Sequence, residues 1–69
     1  MKTIDQVEAL ICCGWIGNVD AKQSNNDLIL YIKDKVTAKE IYHYVQHILP
    51  TLIHKEKLKD INIIFKKRT

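Results

Sequence analysis

Apolar residues change their spacing three times along this 69-residue chain. In residues 3–13, Ile4, Val7, Leu10 and Ile11 recur at helical intervals and form one stripe. Thr3 with Gln6 reads as a capping box, and Gly14 as the stop. Asp5 and Glu8 fall where the helix dipole favours negative charge. Over residues 15–22 the period drops to two. Trp15, Gly17, Val19 and Ala21 alternate with Ile16, Asn18, Asp20 and Lys22, which predicts a short strand. Residues 23–27 are a polar turn cluster, and residues 28–33 a strand rich in Leu, Ile and Tyr. The two strands make a β-hairpin with a loop longer than the tightest type.

Helical spacing returns after Asp34-Lys35-Val36. Thr37 and Glu40 form a second capping box. Ala38, Ile41, Val45, Ile48, Leu49 and Leu52 fall on one face. Pro50 lies inside this pattern, where it removes a donor and clashes with the preceding turn. It either kinks one helix or separates two. The residue before it is pushed off helical angles. The expectation is a helix to about Leu49, then a turn or two from Pro50 to about Lys57, since Pro suits a first turn. Residues 60–66 alternate again, with Ile61, Ile63 and Phe65 on one side and Asn62, Ile64 and Lys66 on the other.

The order is α-β-β-α-β. It predicts one α+β domain over residues 1–69, with two helices on one face of a three-stranded sheet. The later strand-helix-strand unit is a right-handed crossover, so strands 28–33 and 61–66 run parallel. They are neighbours or are separated by the first strand. The expected core is Ile4, Val7, Leu10, Ile11, Leu28, Leu30, Ile41, Val45, Ile48, Leu52, Ile61 and Ile63, with Trp15 over one end. The second sheet face and the edge strands are left for solvent or a partner.

Composition narrows the function classes. A chain of this size buries only roughly 60% of the surface its unfolded form exposes, which leaves little core for a deep pocket. Apolar runs fall far short of the roughly 18–20 residues of a membrane span. The first residues lack the order of a signal peptide, so the expected location is cytoplasmic. Cys12 and Cys13 are adjacent. They suit reduced, packed thiols better than a disulfide or a redox pair.

No catalytic motif is present, and no motif calls for a cofactor. The two glycines make no phosphate loop, and the single serine sits in a polar turn. The expectation is a protein that is not an enzyme. His43 and His47 share a helix face and can hold a metal, with Glu40 the nearest further ligand. Tyr44 stands where a His-Glu-X-X-His motif needs Glu, and Pro50 disturbs the path to His54. Metal binding is therefore a distant alternative.

Charge is uneven. Residues 1–49 hold five lysines against six acids, a net of −1. Residues 50–69 hold five lysines and one arginine against two acids, a net of +4. Lys55, Lys57, Lys59, Lys66, Lys67 and Arg68 are thus the candidate nucleic-acid contacts, on one surface or at opposite ends of the sheet. The overall charge of +3 excludes an acidic mimic of nucleic acid. A lone arginine and the absence of an RNA-binding aromatic motif make nucleic acid the second reading.

The leading reading is a non-catalytic protein-binding module: a small regulator, adaptor or inhibitor that occupies a surface, as small proteins of phages and mobile elements often do. Tyr42, His43, Tyr44, Gln46 and His47 form its candidate contact face, because Tyr and His suit a surface wet when alone and dry when bound. Tyr44→Glu is expected to block binding and leave the fold intact. The open sheet face or an edge strand would serve equally in a homodimer.

Overall fold

The computed structural model describes residues 2–68. Its central strand is β2 (Asp27–Ile32), in which Leu28, Leu30 and Ile32 are buried and alternate with half-buried Asp27, Ile29 and Tyr31. β1 (Val19–Ser24) pairs with it antiparallel, and β3 (Asn62–Lys67) pairs with it parallel, in the order β1-β2-β3. The two parallel strands are therefore direct neighbours. Strand periodicity assigns Val19, Ala21, Ile63 and Phe65 to the same face as Leu28 and Leu30. Ile4, Val7 and Ile11 of α1 (Thr3–Gly14) and Ile41 of α2 (Lys35–His43) complete the core over that face. The arrangement is α+β, as the order of periods predicts.

The hairpin departs from expectation. Ser24 pairs with Asp27, so only Asn25 and Asn26 form the loop. Asn25 takes φ +56°, a conformation its short polar side chain tolerates. The loop is thus of the tightest length. β1 also starts at Val19, not at Trp15, because Gly17 adopts φ +82° and turns the chain there. Polar Gln23, Ser24 and Asp27 belong to strands, since an edge strand keeps one side wet and side-chain preference yields to context.

Both predicted capping boxes are replaced by other bonds. Thr3 lies inside α1, and the residue before it, Lys2, makes no side-chain cap bond. Gln23 Nε2 donates instead to Asp5 Oδ1 at 2.7 Å and Glu8 Oε1 at 2.9 Å, which ties α1 to β1. α2 starts two residues before Thr37. Asp34, in extended conformation, accepts the Thr37 N–H at 3.0 Å, and Thr37 is buried in the first turn. Glu40 accepts the Trp15 indole N–H at 3.2 Å.

Pro50 does not split the helix at its own position. After α2 the helix widens into a π turn (Tyr44–Ile48) and continues as α3 (Leu49–Leu52). Leu49 keeps helical angles, φ −54° and ψ −41°, and its N–H reaches the Tyr44 carbonyl five residues back. The wider turn gives the proline ring room against the carbonyl it would otherwise strike. The chain breaks only at Ile53, followed by the short α4 (Lys55–Leu58), whose first turn is capped by His54 Nδ1. The extra residue also shifts the buried face by one position. Leu49 and Ile53 are 1% and 8% exposed, whereas the expected core residues Ile48 and Leu52 are 42% and 58% exposed. Leu10, Val45, Ile61 and Ile63 are half-buried at the core margin.

This phase shift is testable by urea denaturation. Leu49→Ala should cost about 2–5 kcal/mol. Leu52→Ala should stay within about 0.5 kcal/mol. Equal losses would mean that the helix keeps one period through Pro50.

Candidate protein-binding groove

The helix and β3 do not close fully on each other. Ala38, Tyr42, Val45 and Leu49 recur along one side of the long helix, and Ile61, Ile63 and Phe65 alternate along the facing strand. Between them lie three adjoining cavities. One of about 510 Å³ lies at the α4 end, between Val45, Leu49 and Pro50 on the helix, Ile61 and Ile63 on the strand, and Leu58. One of about 440 Å³ is bounded by Ala38, Lys39, Tyr42 and Phe65. The third, of about 270 Å³, lies where β2 and β3 end and α2 begins. Phe65 borders all three and Tyr42 the first two, so they form one groove along the strand. Tyr42 stays 57% exposed, its ring 6.0 Å from that of Phe65.

The five predicted contact residues separate. Tyr42 and Gln46 face this groove. His43 borders a different hollow with Gly14, Trp15 and Glu40, and its ring lies 4.7 Å from that of His47. Tyr44 points inward. It is half-buried, packs edge-to-face on Trp15 at 5.3 Å, and burial raises its phenol above the usual range. Tyr44→Glu would place a carboxylate in that contact, so its expected effect is now a loss of stability as well as of binding. The sequence missed most of the groove because its lining residues carry the same apolar signature as core.

The six basic candidates also separate. Lys55 and Lys59 rim the groove beside α4, and Lys59 lies 3.5 Å from Glu56. Lys66 and Lys67 lie at the other end of β3, a strand about 16 Å long at the usual rise. Arg68 is engaged by Asp20 at 3.0 Å. Parallel pairing brings Lys33 and Lys35 from the end of β2 to the side of Lys66 and Lys67. The topology carried that signal, since residues following two adjacent parallel strands meet at one end. A phosphate at the start of α2 would meet the Asp34 carboxylate already bonded there. The Thr37 backbone N–H holds that carboxyl below its ordinary value.

Elsewhere the chemistry is sparse. Burial pushes the Cys12 thiol up, which disfavours the thiolate, and Cys13 is exposed and free. His54 is occupied as a cap, and no group of three metal-ligating side chains gathers among the described residues. No helix among them is long and apolar enough to cross a membrane.

Two outcomes check this geometry. Tyr44→Glu should lower unfolding stability by about 2 kcal/mol or more, and Tyr42→Glu by less than about 1 kcal/mol, in parallel urea titrations. Because the folded Asp34 carboxyl is depressed, its capping contribution is full at neutral pH and fades as pH falls through its folded value. The thermal-stability gap between wild type and Asp34→Ala should therefore narrow on acidification below the ordinary 3.8. A gap independent of pH would show that the carboxylate charge plays no part in the cap.

No protein-family model matches the chain, and neither a curated protein nor a solved structure does.

Proposed function

We propose that this protein is a non-catalytic protein-binding module, a small regulator, adaptor or inhibitor, that engages its partner along the groove between the long helix and β3. The supporting observation is the open apolar groove beside an edge strand, with Tyr42 and Phe65 at its centre. An exposed aromatic over an apolar trough gives a partner surface to bury, and aromatic anchors supply much of the energy of protein interfaces. The two larger cavities are lined by no serine, cysteine, histidine or carboxylate, so the groove suits recognition better than reaction.

The convergence of Lys33, Lys35, Lys66 and Lys67 supports nucleic-acid binding as the second reading. It is weaker, because Arg68 is paired and Asp34 sits within the cluster.

Affinity capture from extracts of the native cells, with wild type, Tyr42→Glu and Val36→Glu as baits, tests the first reading. Val36 is 67% exposed and borders none of the three groove cavities. A protein retained by wild type and Val36→Glu and lost with Tyr42→Glu is the expected result. Equal recovery on all three baits removes the groove as the interface. A labelled duplex that binds at physiological salt, with a salt slope reduced by about 2 in Lys66→Gln/Lys67→Gln, would favour the second reading.

A further inference from the structure

Granting that the groove binds protein, we infer that its occupant is an extended segment that adds to the sheet as a fourth strand beside β3, apolar in the middle and acidic at both ends. Three observations meet on this edge. The first is the direction of the β3 backbone. Asn62 N–H bonds to the Asn26 carbonyl at 2.9 Å, and Arg68 N–H to the Ile32 carbonyl at 3.0 Å. Strand alternation then turns the N–H and C=O groups of Ile63, Phe65 and Lys67 outward, away from β2. That row has no strand partner among the described residues, because β3 ends the sheet. It is a template for main-chain pairing.

The second observation is the groove beside the row. The side chains of Ile63 and Phe65 lean into it and meet Tyr42 from the helix. An incoming strand would lay every second side chain into this trough while its backbone pairs with β3.

The third is charge. The centre of the groove is lined by Ala38, Tyr42 and Phe65 with Lys39 beside them, and its ends are basic, with Lys55 and Lys59 at one and Lys66 and Lys67 at the other. Of the carboxylates at its two ends, Asp34 is bonded to the start of α2 and Glu56 lies 3.5 Å from Lys59, which leaves Lys55, Lys66 and Lys67 to meet an acidic partner. This pattern selects against a second copy of the chain. Antiparallel pairing of two β3 strands would set Lys66 and Lys67 of each beside Lys55 and Lys59 of the other, a like-charge contact that Glu56 offsets only in part.

The test uses a fluorescent peptide of sequence Asp-Asp-Ile-Thr-Ile-Thr-Ile-Asp-Asp and three relatives. One relative has lysines for the aspartates, one is N-methylated at every isoleucine, and one at every threonine. In an extended peptide the isoleucine N–H groups all point one way and the threonine N–H groups the other, so one methylated set faces β3. Fluorescence anisotropy should show binding of the parent. The lysine peptide and one methylated peptide should each bind at least about tenfold more weakly, and the other methylated peptide as the parent does. Equal binding by both methylated peptides would overturn strand addition and leave the groove reading standing. Equal binding by the lysine peptide would overturn the acidic assignment. No peptide binding alongside Tyr42-dependent protein capture would overturn the inference alone. A stable dimer in sedimentation velocity, dissociated by Phe65→Asp with the fold retained by circular dichroism, would assign the edge to a second copy and overturn it too.

Discussion

β2 is hydrogen-bonded on both sides, antiparallel to β1 and parallel to β3, and the face carrying Leu28 and Leu30 lies under the helices. The parallel pairing constrains everything that follows β2. Parallel neighbours cannot be joined by a tight turn, so the chain from Lys33 to Ile61 must cross the sheet before β3 begins. That crossing carries α2, the π turn, α3 and α4 over the apolar face, and it leaves β3 at the margin of the sheet. The groove exists because the crossing helix and the marginal strand meet at half-buried side chains, not at a sealed seam.

The order of elements was legible because each segment has its own period. Leu28, Leu30 and Ile32 alternate cleanly, and Ile4, Val7 and Ile11 repeat at helical spacing. Parallel pairing followed from the crossover rule. Details that depend on competition between nearby candidates were less legible. Asp34 and Thr37 both suit a helix start, and the backbone resolved it by leaving Asp34 extended. Gly17 counted as a strand position by alternation, yet its positive φ ends that pattern. The helix around Pro50 shows the limit most clearly. Its sequence offers two apolar sets, Ile48 with Leu52 and Leu49 with Ile53, and the wider turn together with the break at Ile53 decides which is buried.

The candidate site was legible in part. Tyr42 and Gln46 stood out as surface residues of an amphipathic helix and do border the groove. His43, Tyr44 and His47 stood beside them in sequence but point elsewhere, since neighbours on a helix diverge by about 100° per residue. The meeting of Lys33 and Lys35 with Lys66 and Lys67 lies at the ends of strands that are distant in sequence, so no local window contains it.

The π turn has a consequence for the protein's evolution. It is geometrically a one-residue insertion absorbed inside a helix. A relative with one residue fewer between His43 and Leu49 would carry a regular helix and present the same core. Alignment gaps in that stretch would then record changes in helix winding, not in loop length. Positions paired across such a gap by helical spacing alone would match buried residues with exposed ones.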